Sequence, residues 1–409
     1  MNPFRKIIDR NFHALTNSNY RYFWLGQCVS LIGTWMQSIG QTWLVYSLTN
    51  SPLLLGVLGA MQYLPVTILT LFAGVWIDKF PKKNILIATQ GISMLLALTL
   101  AALAFTNSAR YEYVLILAVL LGITNAIDMP ARQSFMIEIA GREDLMNAIA
   151  LNSVTFNLAK ILGPSIGAVL LATMGTAWCF LINGLSFIAV IFGLFRIKVK
   201  PFVRPKTTTK IINEILDGLR YVYKSRVLFQ TVLLILVIGL FGFNYNILIP
   251  VFVKNVLHQD ASAFGVLMAA LGIGSVFGAL NASRKGKSKS SLKIMIVCSL
   301  IIGLFLFLNG FSTLYAVTII ILLITGAASI FFSTTANTTL QLNSTNEYRG
   351  RVMSVYSLVF AGATPIGSIF AGAAISGIGI SRTFLLSGIL IILLVAGIGL
   401  AFYMRHSRS

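Results

Sequence analysis

Twelve long apolar segments fall into two sets of six, and both sets carry the same punctuation about 204 residues apart. Gly74 stands opposite Gly278, Gly122 opposite Gly326, and Gly163 opposite Gly367. A short basic loop follows the first glycine in each copy, with Lys79, Lys82 and Lys83 in one and Arg284, Lys285 and Lys287 in the other. A duplication of this kind restricts the chain to two bodies of like topology. Membrane proteins built from parallel repeats place a central cavity between the copies and open it to each side in turn.

The composition places those bodies in lipid. Hydrophobic residues make up 57% of the chain and charged residues 10%, against about 25% charged in a soluble domain. A helical span takes about 20 apolar residues, and the uninterrupted runs give spans at 22–48, 53–77, 85–106, 112–136, 146–173, 176–196, 227–254, 262–283, 292–311, 314–340, 352–377 and 382–404. The expected architecture is therefore all-α: twelve transmembrane helices in two pseudo-symmetric six-helix bundles. The expected bodies are 1–196 and 227–409, joined by a linker over 197–226. Little chain is left for a soluble catalytic domain, and no enzyme activity, cofactor or metal site is expected.

The formal net charge of +20 invites a nucleic-acid reading, but its distribution speaks for topology. Arg5, Lys6, Arg10 and Arg21 precede the first span, and nine Lys or Arg residues from Arg196 to Arg226 separate the halves. Arg284 to Lys293, Arg349, Arg351, Arg405 and Arg408 fall on the same side if spans alternate, while Arg110, Lys254 and Arg382 fall on the other. Positive charge gathers on the cytoplasmic side. Both termini are thus expected in the cytoplasm of an inner-membrane protein, with anionic lipid headgroups, not nucleic acid, as neighbours.

Cys28, Cys179 and Cys298 lie in apolar spans without CxxC spacing, and read as free thiols. The first apolar run is too long for a signal h-region and is expected to stay as a membrane anchor. Within the linker, Lys198, Lys200, Pro201 and Pro205 give an extended stretch. Ile211, Ile212, Ile215, Leu216, Leu219, Val222 and Tyr223 then recur at helical spacing, which predicts an amphipathic helix on the cytoplasmic leaflet. The stretch Asn281-Ala-Ser-Arg-Lys-Gly286-Lys287-Ser288 imitates a phosphate-binding loop but trails an apolar span instead of a β-strand, so ATP is not the expected drive.

The loop after the second span reads Gly74-Val-Trp-Ile-Asp78-Lys79-Phe-Pro81-Lys82-Lys83. It resembles the signature loop of the major facilitator superfamily, G-x-x-x-D-R-x-G-R-R/K, with lysines for arginines and Pro81 for the second glycine. Further stretches resemble the enterobactin-exporter branch, the transmembrane secretion effectors: Tyr22-Phe-Trp-Leu-Gly-Gln27, Trp43-Leu-Val-Tyr-Ser-Leu-Thr49 with Ser51-Pro52, Asp128-Met-Pro-Ala-Arg-Gln133, and Asn152-Ser-Val-Thr-Phe-Asn157. The resemblance covers essentially the whole chain. It implies that Asp78 sits against the positive N-terminus of the eleventh span, holding the cytoplasmic side shut until the halves rock. Gly74, Asp78, Lys79, Lys82 and Lys83 are the loop's candidate gating residues.

Asp128 and Lys160 stand inside spans, where an ionisable group is expected to be functional. Asp128, in the last third of the fourth span, is either a gate partner of Lys82 or of Arg132 one turn on, or a proton carrier. Lys160, in the middle of the fifth span, either binds an anionic substrate, carries the proton, or forms a structural pair with Asp128. One turn later, Gly163-Pro164-Ser-Ile-Gly167 resembles the motif of exporting antiporters, and its small residues are expected to pack helices. Ala168 stands where that motif usually has a second glycine. The fourth-span arginine usual in drug antiporters is also missing, Ala118 taking its place four residues before Gly122.

Polar stripes complete the pattern. Gln27, Ser30, Thr34, Gln37 and Gln41 recur along the first span, Asn125 joins Asp128 in the fourth, and Asn244 and Asn246 mark the seventh. Ser333, Thr334, Asn337, Thr338 and Gln341 mark the tenth, with Phe241, Phe243, Tyr245, Phe331 and Phe332 as aromatic company. The resemblance implies that spans one, four, seven and ten line the cavity. Gln37, Gln41, Asn125, Lys160, Asn244, Asn246, Phe331, Ser333 and Asn337 are accordingly the candidate substrate contacts. The expectation is a monomeric secondary transporter that exports a small amphipathic or anionic molecule, siderophore or drug-like, against protons. Alternatives are an importer or lysophospholipid flippase on the same frame, and a sensor or scaffold that has lost transport.

Overall fold

The computed structural model describes residues 12–77, 79–199, 211–285, 292–345 and 347–406. Hydrocarbon offers the backbone no water, so each apolar segment must satisfy its own N–H and C=O groups, which a helix does. After a short 3-10 turn at His13–Thr16, the first repeat copy gives α1 (Ser18–Thr49), α2 (Pro52–Ile77), α3 (Lys82–Phe105), α4 (Tyr111–Gly141), α5 (Asn147–Thr173) and α6 (Thr176–Arg196). Next comes α7 (Ile211–Lys224). The second copy gives α8 (Arg226–Phe241), α9 (Tyr245–Asn255), α10 (Ala261–Lys285), α11 (Leu292–Asn309), α12 (Tyr315–Leu342), α13 (Arg349–Ile378) and α14 (Ile380–His406). No strand occurs among the described residues.

Among the described residues, eleven spans are long and apolar enough to cross a membrane, α8 and α9 together forming one of them. The twelfth, α1, falls short on hydropathy alone because Gln27, Ser30, Gln37 and Gln41 run along it, all buried. The protein is an all-α, multi-pass membrane protein of twelve spans.

Two helix junctions depart from plain loops. Between α4 and α5 the helix is interrupted by a kink at Gly141 (φ 76°, ψ 169°), a backbone conformation open essentially only to glycine. The seventh span breaks in its middle. Gly242 ends α8 by donating to the Ile238 carbonyl at 2.8 Å, and the side chain of Asn244 donates to the Leu240 carbonyl at 2.7 Å. That carbonyl would otherwise take the Asn244 backbone N–H, so the amide side chain replaces a ladder bond that the break removes. The Asn244 carbonyl then starts α9 by accepting from Ile247 and Leu248, both at 3.0 Å.

The chain forms two compact units, one of residues 1–44 and 64–207, the other of residues 45–63 and 208–409. In the first, Phe23 and Phe135 meet edge-on at 5.7 Å in a core with Tyr20, Leu86 and Leu194. The Tyr20 hydroxyl donates to the Ala148 carbonyl at 2.9 Å. Glycines bring the backbones together: a Cβ on Gly26 would stand 2.9 Å from Val190 Cα, and one on Gly163 2.5 Å from Trp35 Cβ and 2.8 Å from the Ile32 carbonyl. In the second unit, Gly278 and Gly326 face the Ala327 and Leu271 carbonyls across the α10–α12 contact. A Cβ on Gly367 would meet the Leu240 carbonyl at 2.7 Å.

The C-terminal end of α1 and the N-terminal part of α2 belong to the second unit. There a Cβ on Gly56 would lie 2.5 Å from the Ser368 carbonyl, and one on Gly372 2.6 Å from the Pro52 carbonyl. Tyr46 donates to Asn255 Oδ1 at 3.0 Å, and Lys254 donates to Asn50 Oδ1 at 2.6 Å.

Candidate functional site

In the first unit the candidate side chains form two groups. The first surrounds Asp128 on α4, which is 2% exposed. Thr89 Oγ1 and Gln90 Nε2, adjacent residues of α3, donate to its Oδ1 at 2.6 and 2.8 Å. Arg132, one turn on, donates to Oδ2 through Nε at 2.9 Å and through Nη2. A carboxylate inside a span demands charge-assisted bonds, and this set supplies them from both helices. Gln90 Oε1 is buried with no hydrogen-bond partner. The amide therefore has a spare acceptor beside the only oxygen its nitrogen serves.

The second group joins α1 and α5. Lys160 is exposed, and its Nζ lies 5.8 Å from the centroid of the Trp35 ring, within cation–π reach. Phe156, one turn earlier on α5, meets the same ring edge-on at 5.8 Å. Gly163 and Gly167 set this geometry, because they let α5 settle on Trp35 and Met36 with backbone spacing. Pro164, next to Gly163, is buried. Among the described residues no carboxylate forms an ion pair with Lys160. Asp128 in particular is occupied by Arg132.

In the second unit, α12 and α13 present a polar and aromatic face. Thr334, Thr338 and Gln341 are exposed on α12, with Ser333, Phe331 and Asn337 half-buried beside them. Asn337 Oδ1 accepts from Gln341 Nε2 at 2.5 Å, and Asn337 also hydrogen-bonds Tyr356 on α13. Tyr356 stacks on Phe360 at 5.9 Å, and Phe360 meets Phe243 at 6.1 Å. Exposed polar groups within a span face water instead of lipid as a rule.

The remaining sequence candidates scatter. Gln37 Oε1 accepts from Asn183 Nδ2 on α6 at 2.7 Å, inside the helix packing. Gln41 is buried, Asn125 is half-buried one turn before Asp128, and Asn246 is half-buried on α9. Asn244 gives its amide to the Leu240 carbonyl. In the basic loop, Lys79 is exposed, Lys82 is half-buried, and Lys83 Nζ donates to the Ile197 carbonyl at 2.8 Å. Asp78, and with it the contact expected at the eleventh span, lies outside the described residues, as do the side-chain surroundings of Gly74.

Thr89, Gln90, Trp35, Phe156, Tyr356 and Phe360 are the residues that sequence reasoning missed. The first two sit on a different span from the acid they serve. The aromatics are lost among 28 phenylalanines, 13 tyrosines and 5 tryptophans. One signal was present, the four-residue spacing of Phe156 from Lys160 and of Tyr356 from Phe360.

Over residues 10–409 the chain matches the model of the transmembrane secretion effector family. It is 27% identical over 372 residues to the staphyloferrin A transporter of Staphylococcus aureus, covering 90% of this chain and 92% of that one. To the multidrug efflux pump Tap of Mycolicibacterium fortuitum it is 26% identical, covering 84% of this chain and 86% of that one. Macrolide efflux protein A of Streptococcus pyogenes is 23% identical, with 90% and 92% covered. Among solved structures, a bacterial homologue of the human lysosomal transporter Spinster aligns with a TM-score of 0.71 at 14% identity, over 95% of this chain and 96% of that one. The nucleoside transporter NupG aligns with a TM-score of 0.72 at 12% identity, over 94% and 98%. At such identities these two structures speak to the fold alone.

Proposed function

The chain belongs to the transmembrane secretion effector family of major facilitator transporters, and from that premise we propose that it exports a small amphipathic anion across the inner membrane in exchange for protons. The observation that carries this reading is Lys160: an exposed ammonium inside a span, laid over Trp35, with no acid beside it among the described residues. A lone cation at that depth costs at least about 2.5 kcal/mol, and an anionic substrate offsets it. Efflux is the stated activity of two of the relatives, Tap and macrolide efflux protein A, which favours the outward direction.

Alternating access then requires two bodies, which we take as 1–196 and 227–409 with 197–226 as their tether, in a monomer whose termini are both cytoplasmic. Catalytic chemistry and nucleic-acid binding have no part in this reading. The proton belongs at Asp128. Protonation removes the charge that holds Arg132, and turning the Gln90 amide brings its unpartnered Oε1 to the new O–H while Nε2 takes the vacated place. Trp35, Phe156, Tyr356 and Phe360 supply the apolar contacts of an amphipathic substrate.

Transport of a fluorescent aryl carboxylate into everted membrane vesicles tests this. Lys160→Gln is expected to lower the rate at least about tenfold while a neutral amphiphile still moves, and Lys160→Arg to keep most of it. Unchanged anion transport in Lys160→Gln removes the residue from the site. In the same vesicles Asp128→Asn is expected to abolish the acceleration by an imposed pH gradient. Persistence of that acceleration defeats the proton assignment.

A further inference from the structure

The groove between α7, α8 and α13 has no part in the transport reading. It measures about 400 Å³ and is lined by Leu219, Val222, Tyr223, Phe229, Val232 and Val355, with Arg220 and Lys224 at its rim. That volume lies in the range of small-molecule sites, about 300–1,000 Å³. Its walls are apolar and stand open: Tyr223 is 74% exposed, and its ring meets Phe229 edge-on at 5.4 Å. Arg220 and Lys224 are both exposed, and Arg220 Nη1 lies a loose 3.8 Å from Asp217 Oδ1.

The other side of α7 is already committed. A Cβ on Gly218 would stand 2.9 Å from the Arg351 carbonyl, Tyr221 stacks on Tyr348 at 4.4 Å and 5°, and the Thr345 N–H donates to the Tyr221 hydroxyl at 3.3 Å. Thus α7 is fastened to the start of α13 and holds its apolar groove open beside two cations. Because α7 joins two membrane spans, this combination lies where acyl chains meet headgroups.

We propose that the groove binds one anionic phospholipid, its acyl chain along Leu219, Tyr223, Phe229 and Val355 and its phosphate at Arg220 and Lys224. Charge complementarity selects this occupant: a zwitterionic lipid offsets its phosphate with its own ammonium, so a headgroup with net negative charge gains more from two like cations at the rim. The chain then reaches α13, which carries Tyr356 next to Val355 and Phe360 about one turn further on, so lipid occupancy bears on the polar face of the second unit.

The test is titration of the full-length protein in detergent with dioleoylphosphatidylglycerol and with dioleoylphosphatidylcholine, read by native mass spectrometry and by melting temperature. Each basic residue beside an anionic headgroup contributes a factor of about five in affinity. Phosphatidylglycerol is therefore expected to bind about 25-fold more tightly, and the double variant Arg220→Gln, Lys224→Gln to bind both lipids alike. Leu219→Asp, a surface change that places a charge in the chain path, is expected to weaken both lipids. Equal binding of the two lipids by the native protein overturns the proposal, as does a preference that survives the double variant. A double variant that changes the mass of the particle in solution assigns the groove to a second copy instead, and also overturns it.

Discussion

The first helix of each repeat copy is pressed by a glycine from the fifth, yet only one of the two runs unbroken. Gly163 meets α1 at Ile32, Trp35 and Met36, in a helix of 32 residues without interruption. Gly367 meets the seventh span at Gly239, Leu240 and Asn244, at the point where α8 stops and α9 begins. The difference lies in what surrounds the contact. Around the α1 contact, Trp35 and Met36 fill space with side chains. Gly239, Gly242 and Pro250 instead leave the seventh span short of helix-forming residues and short of one N–H donor. Equivalent positions in a duplicated fold therefore share a packing device without sharing stiffness.

That contrast can be broken by experiment. Leucine at either glycine would force the facing backbone aside, and Gly163→Leu and Gly367→Leu are each expected to cost about 3 kcal/mol, measured by thermal unfolding in one detergent. The smaller Gly163→Ala and Gly367→Ala changes sharpen it. The broken span can shift at residues 242–244 and α1 cannot, so alanine should cost more at Gly163; equal losses would mean that the break gives no compliance.

Next in size is Asn244→Ala, which strands the Leu240 carbonyl and is expected to cost about 1–2 kcal/mol. A variant that instead gains stability would show that a continuous helix lies close in energy and that Asn244 alone holds the span open.

The smallest effect concerns the caps of the second span in each copy. Ser51 Oγ accepts from the Leu54 N–H at 3.3 Å at the start of α2, and Asp260 Oδ1 accepts from the Ser262 and Ala263 N–H groups at 3.0 and 3.3 Å at the start of α10. Each alanine substitution should cost about 1 kcal/mol. Only the charged cap responds to acid. The Ser262 hydroxyl, foremost, and the capping N–H groups hold the Asp260 carboxyl below its ordinary value. Its contribution is thus complete above the usual carboxylate range and vanishes as pH falls through the depressed folded value. An Asp260→Ala cost that stays constant down to strongly acid pH would contradict this.

Much of the architecture was legible because lipid enforces it. Runs of about 20 apolar residues admit one backbone solution, and the Asp128–Arg132 pair follows from a four-residue spacing on one helix. The break in the seventh span was not legible. A run read as continuous over 227–254 is interrupted at residues 242–244, and an asparagine read as a substrate contact spends its amide on the backbone. Hydropathy cannot report where a helix stops inside an apolar run, since Gly242 and Asn244 are each tolerated in a helix singly. The donors Thr89 and Gln90 were hidden for another reason. They approach Asp128 across an interhelical contact, and one sequence carries no record of which faces meet.

Gly141 closes α4 in a conformation that side-chain-bearing residues rarely adopt, and α5 follows within a few residues. Asp128 lies on the helix before it and Lys160 on the helix after it. Strain introduced at this one corner is therefore expected to disturb both helices, and with them both polar groups of the first unit.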